Sequence, residues 1–376
     1  MSRIIYFDNA ATTPLANEVL EVMLPFMKEN FGNPSSSYSA GRTARLGLEV
    51  ARKKVAHLLG VTPTTIFFTS GGTESNNTAI AAAVRDLGCT HIITSPIEHH
   101  AVLHTVEHYS RHNNISFTLV ALTESGEIDY ENLEQQLQLH THAGKKVLVS
   151  LMHANNEIGT LLDMQRVGKL CQQHNAIFHS DCVQTVGHYP LNLSEAGVHF
   201  ISGAGHKFHG PKGVGLLYVS NEVKIQPLLY GGGQERNMRA GTENTYGIVG
   251  FARALEMAME AYEKESQYID QLKQYMKSEL TAAIPGVGFN SPDHSLYTVL
   301  SVRIPQSPKT ESLLLELDMA GICVSSGSAC STGEASHVIR ALRKNNNSTT
   351  IRFSFSKFNT QSEIDVVVAK LKELLS

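Results

Sequence analysis

The chain has 376 residues, of which 42% are hydrophobic, so it can bury a large core and is long enough for two domains. Its formal net charge of −4, without a run of Lys or Arg, excludes the basic surface of a protein that binds nucleic acid or anionic lipid. No apolar run reaches the roughly 18 residues of a membrane span, and the segment MSRIIYFDNAATT lacks the apolar core of a secretion signal. These features predict a cytoplasmic protein with neither nucleic acid nor a membrane as a partner.

Apolar segments rich in β-branched residues recur between residues 66 and 219. They are IFF (66–68), HIIT (91–94), FTLVAL (117–122), VLVSLM (147–152), AIFHS (176–180), HFIS (199–202) and VGLLYV (214–219). Segments with the helical spacing of apolar residues separate most of them, for example 78–85, 130–137 and 164–174. This alternation of strands and helices predicts a mostly parallel sheet that is covered by helices.

The pattern changes in the last third of the chain. Residues 247–283 are rich in Ala, Glu, Met and Lys, and they predict one long connecting helix. Strands are predicted at 298–304, 322–324 and 351–355, and helices at 309–319, at 337–344 and after the capping box of Thr360 and Glu363. This mixture predicts a second, smaller α+β domain.

Polar clusters follow four of the predicted strands. They are TSGGTESNN (69–77), HANNEIG (153–159), SDCVQT (180–185) and SGAGHK (202–207). Ligands of open α/β sheets bind beyond the carboxyl ends of the strands, so we expect these clusters to converge on one ligand. Neither GK[ST] nor GxGxxG follows a strand, which excludes a Walker loop and a dinucleotide fingerprint.

Lys207 lies in SGAGHKFHGPKG, where glycines and a proline indicate a fixed backbone path. A lysine held in this way can act as a nucleophile or bind an aldehyde cofactor covalently. The Gly72-Thr73 turn can hold a phosphate at a helix N-terminus, and Asp181 can pair with a pyridine nitrogen. Together they supply the parts that pyridoxal 5'-phosphate (PLP) needs. The alternative is a surface lysine, an ordinary turn and an N-cap.

A series of ordered blocks resembles one enzyme family over nearly the whole chain. The blocks are FDNAATT, GNPSS, GGTESNN, EHHAV, HANNEIG, SDCVQTVG, HKFHGPKG, GGGQERNMRAGTEN, SSGSAC and IRFSFSKFNT. They resemble the cysteine desulfurases of the NifS/IscS type, a branch of the class V aminotransferases among the fold-type I PLP enzymes. The resemblance implies a large domain (15–255) with a mostly parallel seven-stranded sheet sandwiched by helices. It also implies a smaller α+β domain formed by 1–14 and 256–376.

The resemblance also implies a role for each matching residue. Lys207 would bind PLP covalently, Asp181 would pair with its ring nitrogen, and His99 would stack on the ring and transfer protons. The other predicted cofactor contacts are Gly72, Thr73, Asn156, Gln184 and His206, with Thr242 reaching the phosphate of the other subunit of a homodimer. Arg352 would bind the substrate carboxylate, with Asn33 nearby and Asn156 also contacting the substrate. Cys330 would accept the sulfur of L-cysteine as a persulfide, leaving L-alanine, and pass it to an acceptor protein, for instance an iron–sulfur scaffold.

Ordinary alternatives exist for several of these residues. His99 and His100 could be a solvent-facing pair, Arg352 could face solvent on its strand, and Asn155-Asn156 could be a turn. No ligand set with metal spacing is present in the sequence, so no metal is assigned. Cys330 lies in Ser- and Gly-rich sequence that is typical of an exposed loop, whereas the other four cysteines are predicted to be structural.

Two departures from the family pattern affect the cofactor and the acceptor. Ala204 stands where the family often has a serine that donates to the phosphate, and the segment after Cys330 is shorter than in long-loop members. The alternative functions are a selenocysteine lyase, a related class V aminotransferase and a catalytically inactive interaction partner in sulfur transfer. The block SSGSAC argues against a transaminase, which has no need of its cysteine.

Overall fold

The computed structural model describes residues 4–326, 336–342 and 348–376. Its strands are β1 (Ile5–Tyr6), β2 (Ile66–Thr69), β3 (His91–Thr94), β4 (Ser116–Leu119), β5 (Val147–Ser150), β6 (Ile177–Asp181), β7 (Phe200–Ala204), β8 (Gly215–Val219), β9 (Gly288–Phe289), β10 (Val299–Pro305), β11 (Ile322–Cys323) and β12 (Ser348–Ser354). Its α-helices are α1 (Asn17–Lys28), α2 (Ser39–Leu58), α3 (Gly72–Arg85), α4 (His100–Asn113), α5 (Tyr130–His142), α6 (Met164–Gln173), α7 (Gln234–Asn237), α8 (Thr245–Glu260), α9 (Tyr262–Ala283), α10 (Leu313–Met319), α11 (His337–Ala341) and α12 (Gln361–Leu375). Among these helices, none combines the length and the apolar content that crossing a bilayer requires.

Seven strands form the central sheet, in the order β2-β8-β7-β6-β5-β3-β4. β8 pairs antiparallel with both of its neighbours, and every other pair in this sheet is parallel. All strands except β8 therefore run in one direction, and their carboxyl ends lie along the same edge. The predicted mostly parallel, seven-stranded sheet is confirmed, and this edge is where the polar clusters meet.

Helices cover both faces of the central sheet. Successive residues of a strand point to opposite faces, so the apolar strands place side chains on both faces that have to be buried. Phe68 of β2 packs in one core with Val55 of α2 and Phe251 of α8. Its neighbour Phe67 packs in a second core, with Ile80 of α3. The sheet is thus buried on both sides, which explains its near-continuous apolar strands.

A second sheet, β12-β10-β9, is antiparallel and packs with α9, α10 and α12 around a separate core. The N-terminal segment joins this part of the chain, because β1 pairs with β11 and the ring of Phe7 packs edge-to-face against Phe353 and Phe355. The division into 15–255 and 1–14 with 256–376 stays a prediction.

The single long helix predicted over 247–283 is wrong. The chain forms two helices, α8 and α9, which meet at Ala261. The break has a packing reason: Phe251 and Leu255 of α8 belong to the core of the central sheet, whereas Ile269 and Leu272 of α9 belong to the core of the second sheet. One straight helix cannot place its apolar stripe against two differently oriented cores.

Candidate active site

A cavity of about 250 Å³ opens at the carboxyl edge of the central sheet. Nine of the predicted site residues line it: Gly72, Thr73, His99, Asn156, Asp181, Gln184, His206, Lys207 and Arg352. Each ends or follows a strand of the central sheet except Arg352, which comes from β12. The polar clusters that follow β2, β5, β6 and β7 therefore converge, as the sequence predicts.

Two predicted residues in the described part of the chain are not brought into this cavity, and a third lies outside that part. Asn33 and Thr242 are exposed and do not line it, and Cys330 lies outside the described residues. The side chain of Asn33 accepts a hydrogen bond from the backbone of Ser35 instead, at 2.9 Å. The roles given to these three residues stay predictions.

Lys207 is half-buried in a short 3₁₀ turn, 205–207, that follows β7 directly. Its Nζ donates to the backbone carbonyl oxygens of Ala10 and Ala11, at 2.6 and 2.8 Å. The lysine backbone is held as well, because Nε2 of the half-buried His188 donates to the Lys207 carbonyl at 3.0 Å. Burial lowers the pKa of His188 to about 4, so this imidazole is a neutral donor. The surface-lysine alternative is excluded by these contacts.

Asp181 ends β6 and is buried, with each carboxylate oxygen receiving one donor. Nδ2 of Asn76 donates to Oδ2 at 2.6 Å, and the backbone N–H of Val183 donates to Oδ1 at 2.9 Å. These two donors fix the direction of the carboxyl group. Asn76 was not singled out from the sequence, although it lies one turn after Thr73 in the GGTESNN block.

The phosphate-binding candidates lie at the start of α3 and beside β7. Gly72 has to be a glycine, because a Cβ at this position would overlap the side chain of Val183. Nδ1 of His206 is within 3.2 Å of Oγ1 of Thr12. Burial and the nearby lysines lower the pKa of His206 to about 4, so it offers a neutral N–H. Ala204 lines the same cavity without a hydroxyl.

His99 is the N-cap residue of α4. Its Nδ1 accepts a hydrogen bond from the backbone N–H of Ala101 at 3.1 Å. Burial lowers the pKa of His99, and the neighbouring Lys207 acts in the same direction. The neutral ring therefore carries its proton on Nε2, the atom that is left for the cavity.

Arg352 is 1% exposed, which excludes the solvent-facing alternative. Nη1 donates to the backbone carbonyl of Asn156 at 2.9 Å, and Nη2 pairs with Oδ1 of Asp8 at 2.6 Å. Nε finds no hydrogen-bond partner among the described residues. Asn155, the residue before Asn156, is structural. Its buried side chain forms hydrogen bonds with the backbone of Ile97, Glu157 and Ile158.

The four cysteines in the described part of the chain are poor nucleophiles. Cys89, Cys171 and Cys182 are buried, and Cys323 is partly buried. Burial raises the pKa of Cys89 and Cys182 to about 12 and also raises that of Cys171 and Cys323. A thiol that stays protonated cannot attack sulfur efficiently.

The residues present fit PLP. The cavity combines a lysine amine, a buried carboxylate with fixed direction and a glycine-lined helix start beside a neutral histidine. Two buried polar atoms at its edge, Oδ1 of Asn76 and Nε of Arg352, have no partner among the described residues. A polar ligand that fills the cavity would supply such partners.

Comparisons with known proteins agree with this site. The family model "Aminotransferase class-V" matches residues 5–367. The cysteine desulfurase IscS of Dictyoglomus turgidum is 42% identical over 388 aligned positions, covering 100% of this chain and 95% of that protein. A solved NifS-like protein superposes with a TM-score of 0.91 at 38% identity, covering 99% of each chain. SspA in complex with cysteine gives a TM-score of 0.82 at 30% identity, covering 95% of this chain and 100% of that one. The chain therefore belongs to the class-V aminotransferase family and, within it, to the PLP-dependent cysteine desulfurases.

Proposed function

We propose that the protein converts L-cysteine to L-alanine and that Cys330 takes up the sulfur as a persulfide. The observation that carries this proposal is the convergence of Lys207, Asp181 and Arg352 on one cavity. When bound, PLP supplies an electron sink that stabilises negative charge at the substrate Cα and allows the Cβ–S bond to break. The residues of the chain would bind the cofactor and the substrate, orient them and transfer protons between them.

Arg352 is the proposed anchor of the substrate carboxylate. Its guanidinium is buried and held by the Asn156 carbonyl and by Asp8, so its direction is fixed before substrate arrives. Nε remains to be satisfied, and a carboxylate is the natural partner of such a donor. Holding the carboxylate at this end orients the rest of the substrate toward Lys207.

Asp181, Lys207 and His99 carry the proton chemistry. Asp181 would pair with the ring nitrogen of PLP and help to keep a proton there, because its carboxyl group is buried and held in a fixed direction. The amine of Lys207, when not bound to the cofactor, would take the substrate Cα proton. Nε2 of His99 would donate its proton within the cavity, since Nδ1 is committed to the helix start.

The sulfur-transfer step needs a nucleophile from the chain. The Cys330 thiolate forms an S–S bond with the substrate sulfur while the substrate Cβ–S bond breaks. The electron pair of that bond stays on the carbon side, which takes up a proton to give L-alanine. One substrate sulfur thus becomes the terminal sulfur of a Cys330 persulfide. The protonated state of the described cysteines leaves Cys330 as the proposed acceptor.

A homodimer with shared sites is part of the proposal. Thr242 is exposed in the single chain. The segment that contains it is joined to α3 of the same chain, because Nε of Arg239 pairs with Oε1 of Glu74 at 3.0 Å. Exposed apolar side chains on α1 and α2, among them Leu24 and Val50, offer a surface for a second copy.

The persulfide would then pass to an acceptor protein, for which we propose an iron–sulfur scaffold or a thio-cofactor pathway. The predicted cytoplasmic location fits such a role and stays a prediction. The comparisons do not favour the selenocysteine lyase or the transaminase, since the full-length curated relative described above is a cysteine desulfurase.

Two variants test this proposal. Cys330→Ala should keep the visible absorbance of bound PLP and lose alanine production from L-cysteine. Lys207→Ala should lose the absorbance of the covalently bound cofactor. Desulfuration that persists in Cys330→Ala would reject the role of the cysteine. Mixed dimers of Lys207→Ala and Thr242→Ala chains test whether the sites are shared, because one intact site forms only if Thr242 acts across the interface.

A further inference from the structure

Ser325 lies two residues before the segment 327–335, which contains Cys330, and it is held beside the active site. Ser325 and Arg352 form an antiparallel bridge, in which the backbone N–H of Arg352 donates to the Ser325 carbonyl at 2.6 Å. The same Arg352 points its side chain into the cavity. The chain therefore reaches Ser326, the last described residue before this segment, from beside the proposed carboxylate anchor.

Ser336, on the other side of that segment, is held by a buried carboxyl group. Its Oγ donates to Oε2 of Glu157 and accepts from the backbone N–H of Val338 at 3.1 Å, which caps α11. Glu157 is 2% exposed, and it follows Asn156 directly. Its carboxyl group does not line the cavity.

A second contact fixes the start of α11. Nε2 of His337 donates to the backbone carbonyl of Glu98 at 2.9 Å, and its ring lies 4.6 Å from that of His100. Glu98 directly precedes His99. The two contacts at the start of α11 are therefore made with Glu157 and Glu98, which adjoin predicted site residues in the sequence.

We propose that Ser336 and Glu157 are positioning residues for sulfur transfer, whose hydrogen bond sets where the Cys330 thiol meets the substrate sulfur. The proposal rests on the proposed role of Cys330. Burying a carboxyl group is costly unless it has a strong partner. Glu157 uses its Oε2 on Ser336 and not on the substrate site. The consequence is a fixed distance between the start of α11 and Asn156.

The step that depends on this distance is the formation of the S–S bond. Substrate binding depends on Arg352 and the cofactor contacts, and among the described residues neither Ser336 nor the Glu157 side chain forms a hydrogen bond with Arg352 or lines the cavity. Loss of the hydrogen bond should thus slow persulfide formation and leave substrate binding unchanged. Misplacement of reacting groups by about 1 Å can cost up to roughly a hundredfold in rate.

The experiment uses PLP-loaded enzyme with Ser336→Ala, Ser336→Thr and Glu157→Gln. L-alanine binding is measured from the absorbance of the bound cofactor. Persulfide on Cys330 is followed by mass spectrometry in a single turnover with L-cysteine. We expect Ser336→Ala to slow persulfide formation about tenfold with an unchanged Kd for L-alanine. Ser336→Thr, which keeps the hydroxyl, should restore the rate.

Glu157→Gln separates positioning from capping, because it leaves the Ser336 cap of α11 in place. It replaces the carboxyl group by a neutral amide, which weakens the hydrogen bond with Ser336. We therefore expect persulfide formation to slow about fivefold. In the double variant of Ser336→Ala and Glu157→Gln, the effects of the two substitutions should be less than additive. Ser312→Ala is the matched control, since it removes a Ser–Glu hydrogen bond of 2.5 Å, to Glu316, at α10. This control should leave the persulfide rate unchanged.

The outcomes separate the two proposals. If Cys330→Ala still forms a persulfide elsewhere, the proposed function is wrong and this inference falls with it. If Cys330→Ala abolishes the persulfide but Ser336→Ala and Glu157→Gln match the parent rate, only the positioning role is wrong. A parallel loss of L-alanine binding and of persulfide formation would also reject it, because a general structural defect would then be the cause.

Discussion

Nη2 of Arg352 and Oδ1 of Asp8 lie 2.6 Å apart, which joins the N-terminal segment to β12 beneath the cavity. Arg352 is 1% exposed and Asp8 is 19% exposed on its side chain. An ion pair in such a place differs from a surface pair, because removing one partner leaves a buried charge uncompensated. The pair holds the proposed carboxylate anchor in position and links the ends of the chain.

Asp8→Asn should lower the free energy of unfolding by about 2 kcal/mol, the typical cost of a lost hydrogen bond to a buried charged group. Denaturant unfolding measures it. The control is Asp293→Asn, which breaks a pair of 2.9 Å with Lys277 in which Asp293 is 87% exposed. The control should leave stability nearly unchanged, because an ion pair on the surface is well solvated in both states. Equal losses in both variants would contradict the structural role given to Asp8.

His99 has two separable functions, because Nδ1 caps α4 and Nε2 is the proposed proton donor. Asn is also a good N-cap residue, so His99→Asn should keep the stability of the enzyme, and its turnover is measured per bound PLP. Its turnover should fall at least about a hundredfold, since proton transfer by a positioned side chain contributes about that much. His99→Ala should lose turnover and also melt earlier. Turnover near the parent value in His99→Asn would remove His99 from the proton path.

Six buried or half-buried histidines make stability sensitive to acid. Burial lowers the pKa of His91, His153, His188, His206 and His209 to about 4 and that of His179 to about 3. In the unfolded chain a histidine titrates near about 6.5. Between these values the unfolded state binds more protons than the folded state, so the free energy of unfolding falls as the pH drops below 6.5. Glu98 acts in the opposite direction, because burial raises its pKa to about 8.

We therefore expect unfolding in urea to become steadily easier from pH 6.5 to pH 5, with several protons taken up per molecule. His179→Gln is the diagnostic variant, since the ring of His179 bonds Ser150 and Ser202 and the amide can keep a hydrogen bond there. It should reduce the proton uptake on unfolding by about one. A free energy of unfolding that does not change over this pH range would contradict the assignment of buried neutral histidines.

The sequence was sufficient for the sheet, the family and PLP, because all three depend on local signals. Apolar strands followed by Gly-, Asn- and Asp-rich clusters predict both a parallel sheet and the edge at which ligands bind. The break at Ala261 was missed since both helices have good helical spacing, and only the presence of two cores separates them.

The missed contacts connect residues that are far apart in the chain. Asp8 and Arg352 are 344 positions apart, and Asn76 and Asp181 are 105 apart. Their pairing depends on the register of β12 and on how α3 packs over β6, which no local pattern encodes. The sequence also does not decide whether Arg352 is buried. The alternation in IRFSF shows that its side chain faces away from that of Ile351, but it does not show what packs over that face of the strand.

Ala204 offers a test of the phosphate cradle. It is 1% exposed and lines the cavity beside the start of α3. Ala204→Ser would add a hydroxyl there, and a hydrogen bond to a charged phosphate should slow the loss of PLP about tenfold. Cofactor release during dialysis against a PLP-trapping amine measures the rate, and Ala204→Gly, which adds no donor, is the control. Equal release rates for the serine and glycine variants would show that position 204 does not face the phosphate.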